Sequence, residues 1–318
     1  MNRLSLYVSD SFDVFYNQAA ELYLLENVKA DEVILYLWQN ANTIVIGRNQ
    51  DAYSECDIET LEKDNGRLAR RISGGGAVYH DTGNLNFTFI TSRKDFDVPK
   101  QDEVILNALR SLGINAEKNG RNDLLVQGKK FSGHAYHRGK DACLHHGTLM
   151  LQVNEEKLAK YLRVSKLKLH SKNVSSLRSR IINLKSVKKD LDIEMMKKAL
   201  IASAEDIYGC KAEKISELEK DKVDKLYRRF EDGNWRYGKN YLLSKEKEGR
   251  FSWGTVKVCY SMKEDKIDDL VVYTDAMDET LFEGFEKRLI GKKIEDLCGE
   301  REEERDVIAL LKEVENEI

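Results

Sequence analysis

No run of eighteen uncharged apolar residues occurs in the chain, so no membrane-spanning helix is expected. The opening MNRLSLYVSDSFD lacks the apolar stretch and cleavage site of a secretory leader, which points to the cytoplasm. Cysteine is sparse. The five (Cys56, Cys143, Cys210, Cys259 and Cys298) are odd in number and never form a C-x-x-C pair, so reduced, buried thiols are expected. There is no fixed-period repeat and no low-complexity tract. Neither sign of charge dominates, with a net charge of −3, and nothing demands a nucleic-acid or membrane partner. What is present is ordinary for a folded chain: 41% hydrophobic and 34% charged residues, enough apolar side chains for a real core. Disorder, a fibre and a disulfide-stapled miniprotein are excluded, and 318 residues suggest two domains.

The charge is unevenly spread. Residues 251–318 carry 10 Lys and Arg against 19 Asp and Glu, whereas residues 1–250 carry 42 against 36. A basic larger part would suit an anionic ligand. The charged stretch LSKEKEGR at 243–250 reads as a linker, giving expected domains at 1–244 and 250–318.

Helical periodicity predicts a helix over Asp13–Glu26, and β-branched runs predict strands at Val33–Trp38 and Thr43–Ile46. A short helix is expected at Asp57–Asp64. Ala77–His80 and Leu85–Ile90 flank Asp81-Thr82-Gly83-Asn84 as a hairpin would, and Gln127-Gly128 marks a second hairpin between Leu124–Val126 and Lys129–Phe131. Gln101–Leu112 should be a helix ended by Gly113, and Gly147–Val153 a strand, with Asn154 capping a helix to Leu162. Helices are expected at Ile193–Tyr208, capped by Asp192, and at Lys214–Phe230. Strands at Phe251–Tyr260 and Lys266–Thr274 precede helices at Asp278–Leu289, Ile294–Leu297 and Glu302–Glu315. The class is α+β, a mixed sheet with flanking helices and a small α+β unit behind it.

The most unusual segment is Arg70-Arg71-Ile72-Ser73-Gly74-Gly75-Gly76. Three successive glycines contribute no packing and cost backbone entropy, which a sequence tolerates where the backbone lies against a ligand. Their N–H groups would form an anion-binding concavity, and the two arginines would add bidentate phosphate or carboxylate contacts. A flexible surface loop would explain the glycines but not the arginines and Ser73. The segment is neither a Walker loop nor G-x-G-x-x-G. His134, His137, His145 and His146 lie close in sequence, yet no H-E-x-x-H or Cys/His spacing accompanies them, so no metal centre is expected.

RRISGGGAVYHDTGNLNFTF (70–89) resembles the signature of the lipoate–protein ligase A family. The resemblance continues through IGRNQ (46–50), GRNDLLV (120–126), GKKFSGHA (128–135), HHGTLML (145–151), SKNVSSLRSRIINL (171–184), FSWGTVKV (251–258) and VVYTD (271–275). It implies a catalytic domain of the biotin/lipoate ligase fold and an accessory C-terminal domain. His134 departs from it, since many family members carry a small residue there. His137 replaces what is often a longer polar side chain.

The resemblance further implies that ATP, as its Mg²⁺ complex, activates free lipoate (or octanoate) to an acyl-adenylate, and that a lysine of an acceptor protein then takes the acyl group. Acceptors would be lipoyl domains of 2-oxoacid dehydrogenase acyltransferase subunits or the glycine cleavage H protein, with no permanently bound cofactor. An ATP-independent lipoyl or octanoyl transferase of the same fold is the alternative, with Cys143 as its nucleophile. Such chemistry needs fixed positive charge and N–H donors more than a covalent nucleophile.

By resemblance, Lys130 is the catalytic residue, between acyl carbonyl and α-phosphate, with Lys129 facing the other way. Arg70, Arg71, Ser73, Gly74, Gly75, Gly76, Tyr79 and His80 would form the adenylate loop, His80 orienting it by a hydrogen bond. Asn122 and Asp123 would lie near the ribose or Mg²⁺, Asp123 being the candidate Mg²⁺ contact, although an Asx turn explains them too. Ser132, Gly133, Ala135, His146, Gly147 and Thr148 would line the adenylate or acyl site. Val174–Asn183, with Arg178 and Arg180, would close over it as a lid. Trp38, Val45, Val78 and Phe87 are candidates for an apolar acyl slot, or plain core.

Overall fold

In the computed structural model, which describes residues 3–120, 122–163, 180–238 and 243–313, strand β1 (Arg3–Val8) leads into helix α1 (Val14–Asn27). Asp13 caps α1 by accepting a hydrogen bond from the Phe15 N–H, one of the donors a helix start leaves unpaired. Strand β2 (Glu32–Trp38) is buried along its whole length. Val33, Leu35 and Leu37 enter one core, while Ile34, Tyr36 and Trp38 enter another. That split is the period-two alternation of a strand covered on both faces.

Among the described residues, eight strands form the large sheet in the order β11-β1-β2-β6-β10-β9-β8-β7. They are β1, β2, β6 (Asn84–Ser92), β7 (Glu117–Asn119), β8 (Asp123–Val126), β9 (Lys129–Arg138), β10 (Ala142–Met150) and β11 (Ala212–Lys214). β11, β1 and β2 run parallel and the remaining pairings are antiparallel, so the sheet is mixed, as expected. One face packs on α4 (Val98–Ser111) and the helix Ile193–Tyr208; the other packs on α1 and the helix Lys220–Glu231. A small sheet of β3 (Thr43–Ile46), β4 (Arg67–Arg70) and β5 (Val78–His80) carries the glycine segment between β4 and β5. The helices α2 (Ala52–Glu55), α3 (Ile58–Lys63) and α5 (Glu155–Tyr161) lie around it.

A separate core belongs to the antiparallel meander β12 (Lys245–Phe251), β13 (Gly254–Lys263) and β14 (Lys266–Thr274), with the helix Glu302–Lys312 over it. This unit docks on the glycine segment. The Gly75 N–H donates to the Ala276 carbonyl at 2.9 Å, and the Thr274 N–H to the Asn49 carbonyl at 2.9 Å.

Several expectations are corrected. The charged stretch at 243–250 is no linker, since residues 245–251 form β12; its Lys/Glu alternation is that of a half-solvated edge strand. β5 and β6 do not pair as a hairpin; β5 joins β3, and β6 lies between β2 and β10. β10 starts at Ala142 rather than Gly147. The helix expected from Lys214 starts at Lys220, because Ala212–Lys214 pairs with β1. Only Phe285–Leu289 of the segment 278–289 is helical, and Ile294–Asp296 is a 3₁₀ turn. No helix among the described residues is long and apolar enough to cross a membrane.

Candidate active site

The hairpin predicted at Gln127-Gly128 is present, with φ of 53° and 71° at those residues. Two residues beyond it the register shifts: Leu125 opposes Lys130, but Leu124 opposes Ser132. Phe131 is therefore the extra residue of a β-bulge. It sinks into the core beneath α4, while Lys130 and Gly133 come to share the opposite face, the Lys130 Nζ lying 3.0 Å from where a Gly133 Cβ would stand. The Lys130 ammonium is held by the Asp123 carboxylate at 2.7 Å, both side chains about one-third exposed. Its backbone is held as well, the Lys130 N–H donating to the Arg180 carbonyl and the Ile182 N–H to the Lys130 carbonyl.

Across from Lys130 stands the glycine segment. Gly75 alone of the three takes positive φ, 87°, where a Cβ would also press on the Arg71 guanidinium and the Met277 sulfur. A Cβ on Gly74 would lie 2.5 Å from the Ala276 carbonyl oxygen, so this glycine serves the docking of the C-terminal unit. A Cβ on Gly76 would meet no atom of the described residues within 4 Å.

The arginines are not the free ligand grips expected. Arg70 gives its donors to the carbonyls of Gly47, Arg48, Gln50 and Trp235 and does not line the cavity. Arg71 does line it, yet donates to the carbonyls of Val45, Gly74 and Gly76 and to the Ser73 Oγ. Burial pulls both guanidinium groups down to about 10, leaving them charged at neutral pH. They fix the loop's shape from behind.

The cavity between loop and sheet encloses about 120 Å³. Trp38, Val45 and Val78 line it, but Phe87 turns to the other face, where its ring would meet any Cβ on Gly147 at 2.6 Å. A buried polar chain runs along the wall. The Trp38 indole donates to the Thr88 Oγ1, and that hydroxyl donates to the Glu21 Oε1 at 2.7 Å. His146 then bridges Glu21 (2.8 Å) to the Ser73 Oγ (2.7 Å). Glu21 and Gln18 also line the cavity, and sequence reasoning missed both. The available signal was a cluster of polar residues, Asn17, Gln18 and Glu21, in the middle of an otherwise apolar helix.

His80 lines the cavity but does not bond the glycine loop, as had been expected. The Asn17 amide donates to the Asn40 Oδ1, so the Asn40 amide N–H₂ faces the His80 Nδ1 at 3.1 Å. The Nδ1 accepts there, which leaves the proton on Nε2, an atom with no partner among the described residues. Burial, with Arg71 and His146 nearby, drives the imidazole down to about 3, so it stays neutral.

Asn122, Gly133, Ala135, Gly147 and Thr148 line the cavity. Ser73 is wholly buried behind the loop. Tyr79 points the other way, its ring tilted against Tyr161 and its hydroxyl on Asn42. Ser132 faces α4 and bonds His134. The Asp123 carboxylate, the candidate Mg²⁺ contact, is ion-paired with Lys130. Arg180 is exposed and reaches Lys130 only through its backbone, while Arg178 and most of the expected lid (174–179) lie outside the described residues. Cys143 is buried, and burial pushes its thiol up, the wrong environment for a nucleophile.

This cavity joins a neutral imidazole donor and an ammonium to an apolar slot and a bare backbone loop, a set suited to a ligand with an anionic head and an apolar chain. Residues 13–205 match the lipoyl protein ligase A/B catalytic domain family, and residues 242–297 match the bacterial lipoate protein ligase C-terminus. A lipoate-protein ligase A of Psychrobacter cryohalolentis is 36% identical over 289 residues, 88% of this chain and 85% of that one. Among solved structures, P. falciparum LipL1 in complex with lipoate superposes with a TM-score of 0.83 at 28% identity, covering 97% of this chain and 99% of that one. The bipartite lipoate protein ligase of Thermoplasma acidophilum, solved with its E2 lipoyl domain, gives 0.67 at 28% identity over 76% of this chain and 99% of its own. A lipoate-protein ligase A bound with ATP gives 0.64 at 27% identity over 74% and 98%. With both family matches running in order along the chain and a relative this similar over most of its length, the protein is a ligase enzyme belonging to the lipoate–protein ligase A family.

Proposed function

We propose that this ligase is ATP-dependent and works in two steps within the one cavity. A carboxylate oxygen of free lipoate attacks the α-phosphorus of ATP, and the bond to pyrophosphate breaks. The ε-amine of an acceptor lysine then attacks the acyl carbonyl, loses a proton, and AMP departs. The observation that carries the reading is the bulge at Phe131, which turns the Lys130 ammonium into the cavity opposite Gly75 and Gly76. A fixed cation there opposes the negative charge that grows on phosphate and then on the carbonyl oxygen. Asp123 holds it in place. Mg²⁺ enters with the nucleotide, held chiefly by phosphate oxygens as that ion prefers. The ATP- and lipoate-bound relatives support both substrates.

We read residues 1–244 as the catalytic unit and the C-terminal sheet as an accessory that assists activation, because Ala276 and Met277 sit on the glycine loop. Lipoyl domains are the acceptor class we favour, in line with the archaeal ligase solved with its lipoyl domain, and the glycine cleavage H protein is a second candidate. Five free thiols fit a cytoplasmic enzyme. The rival, an ATP-independent transferase through Cys143, is disfavoured by that residue's burial. The deciding experiment is the intact mass of a lipoyl domain incubated with the protein, lipoate and Mg²⁺, with or without ATP. Lipoylation only with ATP, accompanied by pyrophosphate, supports the proposal. Transfer from a lipoylated carrier without ATP would replace it with the transferase.

A further inference from the structure

Consecutive residues of β10 face opposite ways. His146 turns to Glu21 and Ser73 in the cavity wall, and His145 turns to α4. On that second face lies a group of polar side chains that ligase chemistry leaves unused. Gln101 and Asp102 descend from α4; Ser132 and His134 rise from β9; His145 comes from β10. All five are at least 97% buried, within a layer otherwise built of Phe, Leu, Val and Ile. Five polar groups in such a layer cost stability unless something satisfies them together.

Three of their atoms converge. His134 Nδ1 and His145 Nε2 are 2.9 Å apart, and Asp102 Oδ1 lies 3.3 Å from the first and 3.9 Å from the second. Ligand atoms about 2.0–2.1 Å from a tetrahedral metal ion stand about 3.3 Å from one another, in the middle of that range. The remaining atom of each ligand is already held. His134 Nε2 meets the Ser132 Oγ at 3.0 Å, His145 Nδ1 meets the Gln101 Oε1 at 3.0 Å, and the Lys118 ammonium meets Asp102 Oδ2 at 2.5 Å. Such outer partners orient imidazole and carboxylate ligands around an ion. The histidines use their facing nitrogens on each other, and Asp102 Oδ1, buried and aimed between them, stands 3.3 Å from His134 Nδ1 without the geometry of a full hydrogen bond.

We propose that Asp102, His134 and His145 bind one divalent transition-metal ion of the zinc class, which ties α4 to the β9–β10 pair behind the ligand cavity. Two imidazoles and one carboxylate suit such an ion, and hard cations such as Mg²⁺ would be bound poorly. His134 also borders the ligand cavity, but the three ligating side chains lie on the sheet face away from His146, so the role is structural. It does not depend on the substrate assigned above.

The test uses the full chain without a polyhistidine tag. Metal analysis after dialysis should find close to one zinc per chain, falling below about a tenth in His134→Ser and Asp102→Asn. Chelator-treated protein titrated with Co²⁺ should develop visible bands of tetrahedral intensity without sulfur charge transfer, which a cysteine site such as exposed Cys298 would show. Zn²⁺ at a hundredfold excess over its dissociation constant should raise Tm by roughly 5 °C. The Co²⁺ and Tm measurements on the unmutated chain hold even if a variant fails to fold. A chain that carries no zinc and gives neither Co²⁺ bands nor a Tm shift overturns the proposal, as do sulfur charge transfer or undiminished zinc in folded His134→Ser.

Discussion

The Lys130 Nζ stands 2.7 Å from the Asp123 Oδ1, on neighbouring strands joined by a two-residue turn. The pair is partly solvated, so it contributes little to folding and much to where the ammonium points. Lys130→Ala should therefore leave Tm nearly unchanged while cutting lipoate-dependent ATP–pyrophosphate exchange roughly 10²–10³-fold, the usual effect of losing one charge-stabilising donor. A variant keeping more than a tenth of the exchange rate would remove Lys130 from its assigned role.

The three glycines should respond differently. Gly75→Val forces a β-branched residue to φ of 87° and should abolish ligand binding as well as lower Tm. Gly74→Ala meets the Ala276 carbonyl, so it should loosen the C-terminal unit and slow adenylate formation more than transfer from preformed lipoyl-adenylate. Gly76→Ala meets nothing among the described residues; Tm should hold while KM for ATP or lipoate rises. Titration calorimetry and melting curves on the three read this out, and equal effects would refute the assignment.

His80 gives a pH signature. Its imidazole titrates near 3 in the folded chain, against about 6.5 unfolded, so the unfolded state takes up the proton first as pH falls. Stability from this residue is complete above about pH 6.5 and drains away between there and pH 3. His80→Gln should reduce the slope of unfolding free energy against pH by about 1.4 kcal/mol per unit between pH 6 and 5. Urea titrations across that interval measure it; an unchanged slope would mean the ring is charged when folded.

Cys143→Ala should retain ligase activity within about twofold, since the thiol is enclosed and pushed up by burial. Loss of lipoylation with the fold intact would revive the transferase.

What the sequence made legible was local. Asp13, Asn154 and Asp192 cap their helices by bonds that lie within three residues, and Gly209 closes its helix with φ of 70°. Partner choice was not local: nothing in Asp81–Asn84 tells that β5 and β6 belong to different sheets. Arg70 misled for the same reason, because the carbonyls that consume it come from elsewhere in the chain, Gly47, Gln50 and Trp235 among them, whereas Arg71 is taken up mostly by the glycine segment itself. Glu21 and Asp102 were missed because each meets its histidine across more than 30 residues of sequence.

The extra residue at Phe131 makes this hairpin unforgiving of length. A surface turn such as Gln127-Gly128 ordinarily tolerates the gain or loss of one amino acid. Here deletion of Lys129 would close the ladder without the bulge and set Lys130 opposite Val126, swinging the ammonium beneath α4, among phenylalanines. Frame, not composition, separates a working copy of this chain from a well-folded silent one.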